Sequence, residues 1–412
     1  MVDSTGKKSW ICIRSGQKFP MNFETEWTNW EQLCLDCGEQ LKFSADVSSS
    51  WESCVTDLPG IWRYLPLIPV NEQNIEILAD SSTPELLPPV DAKPLAEMLG
   101  VKSVALLPCT EGPSGTFKDV EAAVVIAKCL DWGLQEQPLS WHSTGNTARA
   151  YREYAIRAKL QSFSFFPLQC LDKWQGITSN QNHLLLAYNG SFQEISSLAK
   201  EYARHNGFLH LAPLHWKLEG KATLAYSIME NLPTTTCIVQ TIAGGYGPLG
   251  MYLGLQRLQQ WEIIGESLPR FELFQIEGAD TISKLMPLNR DIQETDLKLP
   301  LNPFEPTLQS TNPLATFSVV RNLVCSTSSN IASVSVPEVQ AQAESFEQYC
   351  REVGVKVSYA SEKCPFIAWA GLMRKAKRKE LDPNDEIVII VTGSSQRSGD
   401  IPHPDQIINK KS

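Results

Sequence analysis

The chain has 412 residues, 42% of them apolar, and a formal net charge of −10. This length predicts two domains, the apolar content predicts a folded chain, and the acidic balance argues against nucleic acid as a partner. The N-terminal stretch lacks an apolar signal core and no apolar run is long enough to cross a bilayer, so we expect no membrane association and a cytoplasmic location.

The first 47 residues differ from the rest, because cysteine and tryptophan are concentrated there. The sequence CLDC, from Cys34 to Cys37, has the spacing of a zinc knuckle. Its upstream mate is incomplete, since CIRS provides Cys12 but places Ser15 where a second cysteine belongs. We therefore predict a degenerate ribbon without metal, and a zinc site at Cys12, Cys34 and Cys37 is the alternative. The other cysteines mostly lie in apolar segments, as reduced thiols do.

From about residue 101 short apolar runs alternate with helical patterns. The predicted strands are 104–108, 139–143, 162–167, 236–243, 355–360 and 386–393. The predicted helices are 119–133, 147–159, 193–207, 337–354 and 364–380. This alternation predicts an α/β architecture with mainly parallel sheets. The stretch 296–313 is predicted to be a long connection, and the tail after Arg397 a loose segment.

Ligands of open parallel sheets bind beyond the carboxyl ends of the strands, and four loops hold that position. The first loop is GPSGTFKD, which ends with Lys118 at the start of a predicted helix. The positive end of that helix, together with burial, would lower the pKa of the lysine and make its amine reactive. The alternative is a solvated surface lysine.

The second loop is WHSTGNTARA, a turn between a strand and a helix. Its hydroxyls and backbone N–H groups are suited to a carboxylate, although Ser, Thr and Asn also cap helices without any ligand. His142, beside the turn, is expected to be a packed strand residue.

The third loop is TIAGGYGPLG, with Gly244, Gly245, Gly247 and Gly250. Glycines at a helix N-terminus allow a phosphate to approach the backbone, and the alternative is a tight packing turn. It matches neither the dinucleotide-binding pattern nor the nucleoside-triphosphate loop, because no Lys-Ser/Thr follows.

The fourth loop is VIIVTGSSQR, where Thr392 and Gly393 end an apolar strand and Ser394 and Ser395 follow. One cofactor would use all four loops. Pyridoxal 5′-phosphate (PLP) needs a lysine for its aldehyde, a cradle for its phosphate, a donor for its ring oxygen and a partner for its pyridine nitrogen.

The order of these motifs resembles the threonine synthase-like group of fold-type II PLP enzymes. LEGKATLAYSIMENLP (218–233) is similar to the family's EG-x-K-T helix, with the lysine one position early at Lys221. The resemblance implies a tryptophan synthase β-like fold of two open, mainly parallel sheets flanked by helices, and a homodimer. The implied domains are a ribbon (1–47), a smaller α/β domain (101–214) and a larger PLP-binding domain (48–100 and 215–412).

The resemblance also implies roles for individual residues. Lys118 would bond to the cofactor aldehyde, Asn146 would bind the ring hydroxyl oxygen and Thr392 would face the pyridine nitrogen. Gly244, Gly245, Tyr246 and Gly247 would hold the cofactor phosphate. The substrate carboxylate would be received by Ser143, Thr144, Gly145 and Thr147.

The implied activity is a PLP-dependent carbon–oxygen lyase or synthase, which eliminates phosphate or a similar group from an O-activated hydroxy amino acid and adds a nucleophile. FKDVEA and GNTARA look more like cysteate synthase, which acts on O-phosphoserine. Arg149 and Lys221 are the candidates for binding the substrate anion. The alternatives are threonine synthase proper, acting on O-phosphohomoserine, and a non-catalytic PLP-binding regulatory protein.

Overall fold

The structure is a computed structural model. It describes residues 8–22, 26, 34, 36–37, 41–178, 180–190, 192–211, 214–288, 290, 292–297, 304–305, 308, 313–314, 316–394 and 399–409. Ser395 of the fourth predicted loop lies outside these residues. No helix among the described residues is both long and apolar enough to cross a membrane.

The strands and helices alternate through most of the chain. The strands are β1 (Lys8–Cys12), β2 (Lys18–Phe19), β3 (Leu41–Ala45), β4 (Val90–Asp91), β5 (Ser103–Pro108), β6 (Leu139–His142), β7 (Ser162–Pro167), β8 (His183–Asn189), β9 (Leu209–His210), β10 (Cys237–Thr241), β11 (Arg270–Ile276), β12 (Asn330–Val334), β13 (Glu386–Val391) and β14 (Gln406–Asn409). The helices are α1 (Lys93–Leu99), α2 (Lys118–Asp131), α3 (Asn146–Arg157), α4 (Phe192–Asn206), α5 (Leu214–Asn231), α6 (Tyr246–Gln260), α7 (Thr281–Leu285), α8 (Phe317–Ser326), α9 (Val336–Glu352) and α10 (Cys364–Lys377).

Two open sheets carry the α/β part of the fold. The larger has the strand order β12-β11-β10-β13-β5-β4 and is parallel except for β4. The smaller has the order β14-β8-β7-β6-β9 and is parallel throughout. The central strands are continuous apolar runs such as EIVIIV in β13, as expected for strands covered on both faces.

Sheet membership differs from the predicted domain ranges at two strands. β5, which falls in the predicted smaller domain (101–214), pairs with β13 in the larger sheet. β14, at the end of the predicted larger domain (215–412), pairs with β8 in the smaller sheet. Strand–helix alternation along the chain does not specify these pairings, because they depend on contacts between segments far apart in sequence.

Helix α2 lies at the centre of the core, and every residue from Asp119 to Leu130 is buried. Its apolar positions are mainly Ala, Val and Ile, small enough for α5 and α3 to pack closely against it. The buried charges on this helix therefore need partners, since an isolated charge in a protein interior is costly.

The N-terminal sheet (β2-β1-β3, antiparallel) is docked on these helices. Trp10 of β1 meets Trp216 of α5 edge to face, with ring centroids 6.1 Å apart. The buried carboxylate of Glu26 accepts hydrogen bonds from the indoles of Trp10 and Trp132 and lies 2.8 Å from Lys128 Nζ. Glu26 thus supplies the charge that the buried Lys128 of α2 requires.

Candidate active site

A cavity of about 310 Å³ opens at the carboxyl ends of β5, β6, β10 and β13, and both sheets contribute to its lining. Most of the predicted site residues line it: Lys118, Ser143, Thr144, Asn146, Thr147, Gly244, Gly245, Tyr246, Gly247 and Thr392. The four predicted loops therefore meet at one place, as expected for strand ends of open parallel sheets.

Lys118 is the first residue of α2, and 24% of its side chain is exposed. Its Nζ lies 3.7 Å from Glu121 Oε2 and 4.6 Å from the centre of the Phe117 ring. Burial lowers the pKa of Lys118 to about 8, although nearby acidic groups partly oppose this. An amine with this pKa is partly neutral near pH 7, which suits it to attack an aldehyde or to accept a proton.

The loop before Lys118 is fixed by hydrogen bonds at both ends. The carboxylate of Asp119 accepts from the backbone N–H of Ser114 at 3.1 and 3.2 Å. The N–H of Phe117 donates to the carbonyl of Thr392 at 2.9 Å, so β13 and the lysine loop share a backbone contact. Burial raises the pKa of Asp119 to about 7. This scaffold holds Lys118 and the end of β13 on the same side of the cavity.

The glycine loop forms a cradle at the N-terminus of α6. Gly245 has φ +85°, and a Cβ there would lie 2.5 Å from Val320 Cγ2. At Gly247 a Cβ would lie 2.5 Å from the side-chain amide of Gln240. The N–H groups in the first turn of a helix have no intrahelical acceptor, and the helix dipole favours an anion at that end. The cradle therefore fits a phosphate group.

Thr392 follows the last residue of β13 and lines the cavity, and its side-chain hydroxyl is buried. Its Oγ1 makes no hydrogen bond to any described residue, which is unusual because buried polar atoms are generally paired. A heteroaromatic nitrogen in the cavity would supply the missing acceptor. With Lys118 and the glycine cradle lining the same cavity, this orphaned hydroxyl shows that the donor set fits PLP.

The Ser143 turn is built as a helix cap that also faces the cavity. Ser143 Oγ accepts from the N–H groups of Gly145 at 3.0 Å and Ala148 at 2.9 Å, and its own hydroxyl hydrogen can still donate. Both interpretations of this turn, a cap and a carboxylate site, are compatible with that geometry. Asn146 donates from its side-chain amide to Glu362 Oε2 at 2.9 Å.

The two anion-binding candidates from the sequence lie outside the cavity lining. Lys221 is fully buried, and its Nζ is in direct contact with Glu121 Oε2. Arg149 is half-buried and donates from Nη1 to the carbonyl of Gln175 at 2.8 Å. One helical turn before Lys221, Lys217 lines the cavity instead.

Sequence reasoning missed five polar residues of the lining: Glu121, Lys217, Gln240, Thr241 and Glu362. Lys217 precedes the LEGK motif by one residue, so helical periodicity alone would have placed it on the same face as Lys221. Glu362 lies just before the N-terminus of α10, where an acidic residue followed by Pro365 is a usable signal. Gln240 lies within β10, and nothing in an apolar run marks one polar residue as part of a site.

The ribbon cysteines are brought together away from this cavity. The Sγ atoms of Cys12, Cys34 and Cys37 all lie within 4.8 Å of one another, and Cys12 and Cys37 are 3.5 Å apart. Ser15 contributes its backbone N–H to Cys12 Sγ at 3.4 Å. The loss of metal from this ribbon stays a prediction.

Comparison with known proteins gives relatives of low identity. The threonine synthase of Methanosarcina acetivorans is 24% identical over 282 residues, which is 66% of each chain, and that of Synechocystis is 27% identical over 55% of this chain and 60% of its own. This chain thus spans just under two thirds of those proteins. The cysteate synthase of Methanococcoides burtonii is 24% identical over 89% of this chain and 87% of its own.

Solved structures agree in fold. Maize serine racemase superposes with a TM-score of 0.59 at 20% identity, covering 75% of this chain and 89% of its own. Threonine deaminase isoform 2 from Solanum lycopersicum superposes with a TM-score of 0.61 at 16% identity, covering 78% of this chain and 84% of its own. At this identity the likeness establishes the fold, and it confirms the predicted fold class.

Residues 84–393 match the family model described as pyridoxal-phosphate dependent enzyme. The match runs from just before β4 to two residues past β13, so it includes the first three loops of the cavity and, of the fourth, Thr392 and Gly393. The predicted resemblance and the predicted cofactor, PLP, are confirmed. Since the matched region is most of the chain and carries a cavity whose donors fit the cofactor, the protein belongs to the pyridoxal-phosphate dependent enzyme family.

Proposed function

We propose that this enzyme eliminates phosphate from the side chain of an O-phosphorylated amino acid and adds a nucleophile to the remaining carbon skeleton. The observation that carries the proposal is that two lysines, Lys118 and Lys217, line one cavity. Lys118 suits the proton transfer that elimination requires, and Lys217 suits the binding of an anionic leaving group. The names of the relatives, threonine synthase and cysteate synthase, support the same class of reaction.

Lys118 is the proton-transfer residue of the proposal. Its amine would hold the cofactor through the aldehyde and, once free, would take the proton from the substrate Cα. The bound cofactor supplies an electron sink for that carbon. A threonine hydroxyl at the ring nitrogen, in place of a carboxylate, does not hold that nitrogen protonated. Thr392 therefore favours elimination over transamination.

The substrate carboxylate would bind at the turn before α3. The candidates that line the cavity are the hydroxyls of Ser143, Thr144 and Thr147 at a helix N-terminus, whereas Gly145 does not line it and donates its N–H to Ser143 Oγ. Asn146 would bind the ring hydroxyl oxygen of the cofactor. The phosphate of the cofactor would occupy the cradle at Gly244–Gly247.

Lys217 would bind the phosphate that leaves. Burial and the nearby Lys118 ammonium lower the pKa of Lys217 to about 8, so its charge is costly without an anion beside it. An anion beside it removes that cost and gains a charge-assisted hydrogen bond. Lys221 and Arg149, the sequence-based candidates, would then contribute indirectly. Lys221 pairs with Glu121, and Arg149 donates a hydrogen bond to the carbonyl of Gln175.

The experiment is a substrate panel on the PLP-loaded enzyme. We expect phosphate release from O-phosphoserine or O-phosphohomoserine to exceed acetate release from O-acetylserine at least tenfold. Threonine as the product from O-phosphohomoserine would identify threonine synthase proper. The visible absorbance of the bound cofactor should disappear in Lys118→Ala. Intact absorbance with no release from any of the three compounds would overturn the proposal and favour a non-catalytic PLP-binding protein.

We further propose that the enzyme is a cytoplasmic homodimer. All eleven cysteines are free thiols, which supports a reducing compartment. The dimer is supported by the family resemblance alone. Light scattering on the PLP-loaded enzyme should give twice the mass of one chain, and the mass of a single chain would contradict it.

A further inference from the structure

A row of three polar side chains leads from the interior of the smaller sheet to the cavity. Ser140 and His142 lie on the same face of β6 because they are two residues apart, and the β6–β9 register places Ser140 opposite His210. Ser140 Oγ lies 3.0 Å from His210 Nδ1, and His210 Nε2 lies 3.0 Å from His142 Nδ1. The two imidazole planes are 8° from parallel. His142 lines the cavity.

Both imidazoles are neutral at pH 7. Burial, then His210 and the cations Lys217 and Lys200, lower the pKa of His142 to about 3. Burial and the same two lysines lower the pKa of His210 to about 4. Each ring therefore carries one proton, and hydrogen bonding along the row decides which nitrogen carries it.

One arrangement of the ring protons on His142 and His210 allows His142 to act as a base. If His142 donates from Nδ1 to His210, and His210 donates from Nδ1 to Ser140, then Nε2 of His142 carries a lone pair. Lys217 lines the same cavity and its positive charge acts on His142, which favours a lone pair over an N–H group on the ring nitrogen that does not contact His210. The row then holds His142 in the tautomer that can accept a proton from the cavity, as the third member of a catalytic triad does.

We propose that His142 is a catalytic base that accepts the proton of the adding nucleophile, and that His210 and Ser140 are positioning residues that fix its tautomer. The inference rests on the proposed function. For water as nucleophile, a C–O bond forms at the unsaturated carbon left by elimination, the π pair of its C=C bond passes to Cα, which regains a proton, and one O–H bond of water breaks. The product hydroxyl keeps one proton, and the other passes from His142 Nε2 to the departing phosphate or to solvent.

The inference also narrows the nucleophile. A base is useful only for a nucleophile that must lose a proton on addition, such as water. Sulfite dianion has no proton to lose. The row at His142 therefore favours hydration, as in threonine formation, over sulfonate formation.

An anion bound beside Lys217 would raise the pKa of His142. Burial is the main cause of the low pKa of His142 and would remain, but a phosphate beside Lys217 would offset the smaller contribution of the Lys217 ammonium. Adding inorganic phosphate to the PLP-loaded enzyme should therefore raise the pKa of His142, as followed by nitrogen-15 NMR of histidine-labelled protein. The rise should be absent in Lys217→Met.

The variant for the reaction is His142→Asn, whose side chain keeps a polar atom near Nδ1 but accepts no proton. The matched control is His183→Asn, because His183 Nδ1 makes an equivalent 2.9 Å contact to Ser162 Oγ in the same sheet and does not line the cavity. The measurement is the ratio of hydroxylated amino acid to 2-oxo acid and ammonia formed from O-phosphohomoserine and O-phosphoserine.

In His142→Asn that ratio should fall at least tenfold, because the unsaturated skeleton escapes before water adds, while His183→Asn should keep the wild-type ratio. Ser140→Ala should change the nitrogen-15 shifts of His142 toward the other tautomer and lower the ratio. An unchanged ratio in His142→Asn, an equal fall in both asparagine variants, or an imidazolium at His142 at pH 7 would overturn the assignment. Failure of the proposed function is distinct, since the wild type would then release no phosphate, and the inference would fall with it.

Discussion

Replacing Lys217 by methionine should strengthen the fold and weaken the reaction at the same time. The fall of the pKa of Lys217 from 10.5 to about 8 means that folding disfavours its charged form by up to about 3 kcal/mol. Lys217 is half-buried and retains some solvent, so we expect Lys217→Met to raise the free energy of unfolding at pH 7 by about 1–3 kcal/mol.

The pH dependence follows from the direction of the shift. The penalty on the wild type is fully present below pH 8 and disappears as pH rises toward 10.5, because the unfolded chain binds the extra proton in that window. The stability difference between variant and wild type should therefore be constant from pH 6 to 7.5 and shrink above pH 8. Urea denaturation at several pH values measures it.

The same substitution should slow the reaction. A charge-assisted hydrogen bond contributes about 1.5–3 kcal/mol, so kcat/KM for phosphate release should fall roughly 10- to 150-fold in Lys217→Met. Lys221→Met is the control, because it leaves Glu121 without its partner and should destabilise the fold by about 3–5 kcal/mol, less whatever Lys118 at 3.7 Å recovers. A destabilised Lys217→Met with unchanged kcat/KM would refute the reasoning.

Three further predictions concern the cofactor and the ribbon. Gly247→Ala should weaken PLP binding at least tenfold in an absorbance titration, because its Cβ would lie 2.5 Å from the amide of Gln240; unchanged affinity would contradict the cradle. Thr392→Val should leave the free energy of unfolding of the cofactor-free protein within about 1 kcal/mol, since Oγ1 has no partner among the described residues, yet shift the absorbance maximum of the bound cofactor. Glu26→Ala should cost about 3–5 kcal/mol in denaturation by removing the anion beside Lys128, and a loss under 1 kcal/mol would contradict that pairing.

The central strands could be predicted from the sequence because their apolar runs are continuous. The predicted strands 104–108, 162–167 and 386–393 correspond closely to β5, β7 and β13. The segment 355–360 forms no strand, although Val355 and Val357 are buried. Both valines pack into a hydrophobic core cluster without pairing with a strand, and a periodicity of two does not distinguish such packing from a sheet.

The C-terminal strand β14 was not predicted, because its segment of the sequence has no continuous apolar run. The segment after Arg397 is polar, and its expected looseness was wrong for Gln406–Asn409, which pairs with β8. Those residues are mostly exposed, so they carry little apolar signal. An edge strand is held by backbone hydrogen bonds to its neighbour, and those depend on the tertiary position of β8.

The site residues could be predicted from the sequence where they lie in a loop that directly follows a strand. Lys118, Asn146, the glycine loop and Thr392 each follow a strand, and all line the cavity. The lysine of α5 that lines the cavity could not be predicted in this way. Lys217 and Lys221 share a helix face about 6 Å apart along the axis. Lys221 pairs with the buried Glu121 whereas Lys217 lines the cavity, and this difference depends on tertiary contacts.

The docked ribbon has a consequence for anyone who trims the chain. Starting expression after residue 47 would remove Trp10 from Trp216 and leave Lys128 in an apolar interior with only the Asp131 carboxylate, 3.6 Å away, among the described residues. Trp216 adjoins Lys217, and Lys128 belongs to the helix that Lys118 begins. A shortened chain would thus lose contacts to the two helices that carry Lys118 and Lys217, so the leading segment is an integral part of the fold rather than a removable extension.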